Sequence, residues 1–393
     1  MTDTSVKYFH SSMAGAPTLN GTAGSLITVL DACLVNGFGL VAVSSLMVSS
    51  GVATATTSGH SAEVGSVVLI AGATPAGLNG EKKVLSVGGG NTTFTYDATG
   101  LGDQTATGTI SVKLAPAGWE KAFSSGTTIA AYKSLDITGT GCYLRVNDAA
   151  ARYARAIGYE TMTGHSAGSR PFPTSAQLSG GVYWDKSGLA NSDARGWTIA
   201  SDGRIVYLAL RPDQEELANA SFVAFGDLNS VDSADAWACV INGATVDVVG
   251  EVSYVFQWYP TTDADAAESV WLARAHGATA GAITARKGFA KMYQPSAGYQ
   301  SGNGGLQYPN GPDGGLYLTP HNILEHSSVC LRGLSPGLYC CPQTLPFNWM
   351  AANSEFDGDG ALTGRRLRVV PYSGVAYDGL HAFAFLDSTG PWR

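Results

Sequence analysis

The chain has 393 residues, a formal net charge of −8 and a pI near 5.3, with only 14% charged residues and 50 glycines. An acidic chain with few Lys and Arg lacks the clustered cations that a phosphate backbone demands, which excludes a nucleic-acid surface. Few charges and many glycines favour strands joined by turns over long surface helices, and the length allows one large core and one small one.

The cysteines at positions 33, 142, 239, 330, 340 and 341 form no Cys-x-x-Cys pair and have no histidine at zinc spacing. They read as reduced thiols of a protein made in a cytoplasm, and the neighbours Cys340 and Cys341 are too constrained to bridge each other. The start, Met1-Thr-Asp-Thr-Ser-Val-Lys-Tyr8, has neither the basic residues nor the apolar stretch of a signal peptide. No charge occurs between Asp31 and Glu63, but Gly37, Gly39, Ser44, Ser45, Ser49, Ser50 and Gly51 break that stretch. The pieces fall well short of the ~20 apolar residues a span requires. No membrane span, metal or cofactor is expected.

In chain order, residues 1–22 are polar and punctuated by Gly and Pro, an arm or edge strand rather than a core element. Ser25 to Val35 is the best helix: Leu26, Ile27, Leu30, Cys33 and Leu34 form one apolar stripe, and Gly37 is placed to end it. This helix is expected against the main β domain. A run of short strands follows, with Leu46-Met-Val48, a turn at Ser49-Ser50-Gly51, and Val52 to Thr56. Val67 to Ile70, a Leu78-Asn79-Gly80 turn, Val84 to Val87, Thr92-Thr-Phe94-Thr-Tyr96 and Thr107 to Val112 complete it. Six short strands in this span make a small β-barrel or sandwich.

Trp119 and Phe123 then resume the larger fold, with strands expected around Ile129–Tyr132, Cys142–Val146 and Ala154–Tyr159. Trp197 to Ala200, Asp202-Gly203 and Arg204 to Leu210 form the clearest hairpin. Ser221 to Asp227, Ala236 to Ile241, Arg365 to Val370 and Ala382 to Leu386 continue the sheet. Gly164 to Leu178 and Gln294 to Gly315 are expected as long loops, and Ala266 to Ala275 as a weak helix. The fold class is mainly β: an antiparallel β-sandwich main domain with long loops and one short N-terminal helix, plus an inserted small β-barrel or sandwich. The domains read as 1–40, an N-terminal arm and helix belonging to the main domain; 41–114, the insert; and 115–393, the main sandwich.

The stretch from Gly59-His60 through Val64-Gly65-Ser-Val67-Val68, the Pro75-Ala-Gly-Leu78-Asn79-Gly80 turn and Thr93-Phe94-Thr95 resembles a small β-module common in structural proteins of tailed bacteriophages. The flanks extend the likeness, from Ala14-Gly-Ala-Pro17 through Asn36-Gly37-Phe38-Gly39, and again from Ala117-Gly118-Trp119. They resemble a family of phage and prophage virion proteins whose shorter members run almost directly from the Asn-Gly-Phe-Gly turn to the Ala-Gly-Trp segment. The similarity continues to Asp387-Ser-Thr-Gly-Pro391-Trp-Arg393 and so covers most of the chain. It implies a place in the virion of a protein made in the bacterial host cytoplasm.

Other motifs weigh less. Gly164-His165-Ser166-Ala167-Gly168 matches the Gly-x-Ser-x-Gly nucleophile elbow, which needs a strand-to-helix turn. Ser169-Arg-Pro171-Phe-Pro173 cannot start a helix, so a surface loop is favoured. Were Ser166 catalytic, Asp227 or Asp235 and His276 or His381 could complete the order Ser, acid, His. Glu355-Phe-Asp357-Gly358-Asp359 alternates carboxylates as calcium loops do but lacks the terminal Glu, Arg366 standing there. His321 and His326 flank Glu325 without metalloprotease spacing, and Gly302-Asn-Gly304-Gly305 lacks the Lys of a phosphate cradle. Arg365, Arg366 and Arg368 read as a solvated strand face, with an acidic neighbour in an assembly as the alternative. Tyr183, Trp184, Trp197, Trp258 and Tyr259 read as core, with a carbohydrate platform as the alternative.

The reading is a non-enzymatic structural component of a tailed-phage particle, placed at the neck, tail tip or fibre base. Its partners are other virion proteins and further copies of itself, met through the helix and the two long loops. Capsid decoration, a receptor- or glycan-binding module and, last, an esterase or depolymerase using Ser166 are the alternatives.

Overall fold

The computed structural model describes residues 2–211, 221–245, 270–277, 281–287, 306–325, 330–341, 343–346, 350–372 and 380–393. The protein is mainly β, with large antiparallel sheets, a closed six-stranded barrel and one short helix.

The barrel runs in the order Val41–Ser49, Val52–Thr57, Thr93–Asp97, Gly80–Gly88, Val67–Ala71, Ser111–Leu114 and back to Val41–Ser49, every pairing antiparallel. Closure removes the free edges that a small sheet would otherwise expose. The alternation read from the sequence sets the two faces: in Val52–Thr57 and Thr93–Asp97 every second residue is buried. Ala53, Ala55, Phe94 and Tyr96 therefore point inward with Val48, Ile70, Val84 and Val112. His60, from the Gly-His opening, packs edge-on against Phe94 at 5.2 Å and donates through Nε2 to the Thr93 carbonyl.

Beyond the barrel the strands form two facing sheets. The small one pairs Trp119–Ser125, Ile129–Ser134, Tyr143–Asn147 and Tyr153–Gly164 in sequence order, and Tyr153–Gly164 also carries Ala167–Phe172 and Val182–Asp185. The large one begins Lys7–His10, Gly196–Ser201, Ile205–Arg211, Ser221–Asp227, Cys239–Asn242, Val270–Leu272, Ile283–Lys287. It continues through Thr319–Glu325 and Leu331–Cys340 to Leu380–Asp387, which also pairs Arg366–Tyr372. Leu306–Gln307 beside Gln343–Pro346 is a parallel pairing. Phe225 on Ser221–Asp227 meets Trp119 and Phe172, each at 6.1 Å, in the layer between the sheets. Tyr207, on the opposite face, meets Trp392 of the C-terminal segment at 5.6 Å. Covered on both sides, Ile205–Arg211 and Ser221–Asp227 are buried at every residue. That is why they read as continuous apolar runs.

The Asp202-Gly203 hairpin forms, with Asp202 Oδ1 accepting from the backbone N–H of Arg204 and Ile205, and Gly203 at φ +87°. Three expectations need correction. Lys7–His10 is an edge strand of the large sheet, yet it is buried along its length, and Val6, Tyr8, Phe9, Met13 and Leu19 are core. Polar composition hid this because Lys7 and His10 are buried by pairing across to the barrel, Lys7 with Glu81 and His10 with Glu63. Within the expected loop Gly164–Leu178, Ala167–Phe172 is an edge strand; Pro171 is tolerated because an edge position leaves one side of the strand unpaired. In the expected helix Ala266–Ala275, Val270–Leu272 is instead a buried strand, its residues pairing across to Asn242–Val240 and so spending their periodicity on a sheet. The first part of that segment, and residues 294–305 of the second long loop, lie outside the described residues.

The helix covers the expected residues in two parts, an α-helix Ser25–Leu30 continued by a π-helical turn Asp31–Asn36. All five stripe residues are buried. Gly37 ends it at φ +71°, where a Cβ would lie 2.2 Å from the Leu114 carbonyl. The first turn is held from outside the helix. Asp148 Oδ2 accepts from the N–H groups of Leu26 (2.8 Å) and Ile27 (3.2 Å), while its Oδ1 bonds the ammonium of Lys186, which also donates to the Thr22 carbonyl. Both side chains of this ion pair are fully buried. Burial pushes the Asp148 carboxyl up and the Lys186 ammonium down from their ordinary values, and each partner opposes the shift of the other. Because removal of one partner strands a buried charge, Asp148→Asn or Lys186→Met alone should cost about 3–5 kcal/mol. Denaturant unfolding measures this, and the double replacement Asp148→Leu/Lys186→Met should recover much of the loss.

Candidate functional site

The residues nominated as a hydrolase do not converge. Ser166 sits with His165 in the tight turn between Tyr153–Gly164 and Ala167–Phe172, exposed at the tip of an antiparallel hairpin. Asp227 is occupied elsewhere: Thr140 donates to it through N (2.9 Å) and Oγ1 (2.6 Å), and Arg204 through Nε (3.1 Å). Asp235 is held by the Arg332 guanidinium, and the His276 ring faces Asp232 at 3.7 Å. The side chain of His381 lies outside the described residues.

The carboxylate run and the arginine strand turn out to be one feature. Glu355 accepts from Arg368 at 2.6 Å and Arg366 at 3.0 Å, so it serves a cross-strand pair rather than a cation. Among the described residues no cluster of acidic, His or Cys side chains is arranged to hold a metal. Arg368 is buried, stacks on the Tyr8 ring at 3.7 Å and reaches Glu63 at 3.6 Å. Arg365 pairs with Asp387 at 3.0 Å and caps the carbonyls of Gly390 and Pro391. Of the triplet only Arg368 leaves the solvated face, while Arg365 is half-buried and Arg366 exposed, and each is paired with a carboxylate of its own chain. His321 is buried with Nδ1 on Ser335 Oγ at 2.8 Å, and His326 lies outside the described residues.

The aromatic candidates divide likewise. Trp184 and Trp197 are fully buried, donating through Nε1 to the carbonyls of Asn242 and Pro17. A platform built on them is ruled out by their place in the core. Tyr183 packs on Tyr153 and under Arg155 at 3.7 Å, and Trp258 and Tyr259 lie outside the described residues.

What the arrangement does build is a seated barrel. Lys7 pairs with Glu81 at 2.8 Å, and His10 Nε2 meets Glu63 at 2.9 Å with Arg368 on the other Glu63 oxygen. Ser61 Oγ donates to the Ala14 carbonyl, and Lys83 Nζ donates to the carbonyls of Ser388 (3.0 Å) and Thr389 (2.6 Å). Burial acts to raise the Glu63 carboxyl, but the hydrogen bond and charge of His10, then Arg368, outweigh it and leave its pKa below the ordinary 4.5. Facing away from the core, Thr105, Met47, Thr54, Thr95 and Ser86 align across five strands, and Ser45, Thr56 and Thr93 form a second row, with no charged side chain in either. A second charged seam went unnoticed in the sequence because its members are scattered. Arg274 grips Glu160 through two bonds of 2.6 Å and stacks on Trp237 at 3.7 Å, while fully buried Arg332 joins Asp235, Glu325 and the Arg274 carbonyl. It ties the small sheet to the far strands of the large one.

Two consequences are measurable. A carboxyl lowered by folding contributes stability above its unfolded pKa and loses it as pH falls through the folded one. The melting-temperature advantage of the wild type over Glu63→Gln should be full near neutral pH and shrink between about pH 5 and about pH 3; an advantage independent of pH would contradict the joint. Trp184→Ala should cost about 3–5 kcal/mol as a core cavity, whereas Ser166→Ala should stay within about 0.5 kcal/mol, both read by denaturant unfolding.

No family model matches the sequence, and no curated protein matches it. Among solved structures the chain is similar to the Phage phi92 endosialidase at 12% identity and a TM-score of 0.18, over 90% of this chain and 52% of that one. The chain thus spans about half the length of that structure, and a TM-score of this size establishes no common fold.

Proposed function

We propose that this protein is a structural component of a tailed-bacteriophage virion, working through contacts with other virion proteins and with copies of itself, and placed with the tail at the neck, tip or fibre base. Residues 41–114 are, on this reading, an accessory module set into a main domain formed by 1–40 and 115–393.

The observation that carries the reading is the way the insert is spliced. The two segments that bear the virion-family resemblance on either side of it, Asn36 to Gly39 and Ala117 to Trp119, lie together at its base. Leu114 N donates to the Phe38 carbonyl and Ala117 N to the Cys33 carbonyl, each at 2.9 Å. A shorter chain could pass from the first segment to the second without disturbing the helix or the sandwich. The barrel so mounted turns its uncharged Ser/Thr rows outward, which suits a decoration held rigidly by the joint beneath it. The helix offers a neighbour little, since its stripe, Ser25 and Val29 are buried and only Thr28 and Asn36 are exposed. The hairpin tip at residues 163–170 and the loop bearing Ile137, 97% exposed, are surfaces free to meet neighbours.

Two experiments test this. A deletion variant joining Leu40 to Ala115 through two glycines should remain folded and melt cooperatively, at a lower temperature because Lys7, His10 and Arg368 lose their barrel partners. Collapse to an unfolded chain would defeat the module assignment. Particles induced from the encoding genome should contain this chain at a few to a few dozen copies, counted on a stained gel against the major capsid protein; its absence would defeat the virion reading, and hundreds of copies would move it to the capsid.

A further inference from the structure

Cys142 and Cys239 are far apart in sequence, and three independent features of the fold bring their thiols together in the layer between the two sheets. Tyr143–Asn147 buries Leu144 and Val146 and turns its odd-numbered residues toward solvent; Cys142 shares the parity of the buried pair and is itself buried. On the large sheet, Asp227 pairs with Cys239 and Phe225 with Ile241. Cross-strand partners share a face, so Cys239 lies on the face where Phe225 meets Trp119 and Phe172 of the small sheet. The third feature fixes the spot along that layer. The Asp227 carboxylate holds Thr140 by its N–H and its hydroxyl, and Thr140 Oγ1 in turn accepts from the Cys142 N–H at 3.4 Å. One carboxylate thus neighbours Cys239 through the ladder and Cys142 through Thr140.

We propose that Cys142 and Cys239 are an oxidisable pair that closes into a disulfide across the sandwich. Both are free thiols in the structure. With hydrogen peroxide as oxidant, the Cys142 sulfur attacks one peroxide oxygen, the O–O bond breaks, water leaves and a sulfenic acid remains. The Cys239 sulfur then attacks that sulfur, the S–S bond forms, the S–O bond breaks and a second water leaves. The two thiols give up two electrons and two protons, and one peroxide becomes two waters. Burial pushes the Cys239 thiol well above its ordinary range, and Cys142 beside it adds to the shift by hydrogen bonding and charge. Cys239 is therefore slow to ionise and both thiols are buried, so oxidation is gradual and follows local opening, unlike that of an exposed reactive thiol. The bond closes a loop of about 100 residues, which restricts the unfolded chain strongly, and converts a sheet-to-sheet contact into a covalent one. This inference is independent of the virion reading.

The test uses the full chain, reduced, freed of reductant and treated with hydrogen peroxide over hours. After alkylation in denaturant, the intact mass should be lower by two hydrogens per bond, and a digest without reductant should contain a peptide joining Cys142 to Cys239. The oxidised protein should melt several degrees higher, and reductant should reverse this. Cys142→Ala and Cys239→Ala should each abolish the linked peptide, while Cys330→Ser, at an exposed position, should keep it. Recovery of both thiols fully alkylated after treatment, or linkage of either one to a different cysteine, would overturn the proposal; because that readout is made on the wild type, it stands even where a variant folds poorly.

Discussion

The seating of the helix depends on one fully buried ion pair, Asp148 with Lys186. Asp148 follows one strand of the small sheet and Lys186 follows another, and the Asp148 carboxylate caps the helix while Lys186 holds the carbonyl of Thr22 just before it. Four parts of the chain are thereby brought to one point. A pair of this kind adds little net stability against a well-packed apolar replacement. Its effect is positional, since any other seating of the helix leaves two charges without water or partner. Asp31 extends the clamp one turn further, accepting from Tyr132 and Lys121 of the small sheet at 2.8 Å each. With the helix fixed at both ends, Gly37 can bring the backbone close to Leu114, and the barrel begins and finishes at that contact.

The barrel is then docked on the sheets, its buried residues continuous with theirs in one cluster. Its interior is made by alternation and closure alone, whereas its orientation comes from charges met across the joint, Glu63 and Glu81 on one side and Lys7, His10 and Arg368 on the other. Partly buried pairs of this sort specify geometry because each unmade bond would leave a desolvated group. The outward rows of Ser and Thr carry none of these charges, so the face presented to the surroundings differs in chemistry from the face that docks.

Much of this was legible in the residues. Ala53, Ala55, Phe94 and Tyr96 alternate as a barrel wall must, and Asp202-Gly203 announces its hairpin through local backbone chemistry. Leu26 to Leu34 marks a helix by its stripe, and the tertiary fold relaxes only its last turns into a π-helix. The candidate site was far less legible. Ser166 satisfies a five-residue pattern whose meaning depends on a strand-to-helix turn, and the chain supplies a hairpin. Arg365, Arg366 and Arg368 look like a basic face until Glu355, Glu63 and Asp387 arrive from three other segments. Trp184 and Trp197 look available for stacking until the sheets close over them.

The sequence by itself determined the class of structure, because periodicity two, abundant glycine and sparse charge are local properties that each strand expresses without its neighbours. Only the tertiary structure decided which charges are paired, which aromatics are covered, and that Lys7–His10 lies buried under a barrel. Burial and pairing are properties of two segments at once, and the separations involved, from Glu63 to Arg368 or Asp148 to Lys186, are set by how the sheets stack and carry no mark in the local pattern of either residue.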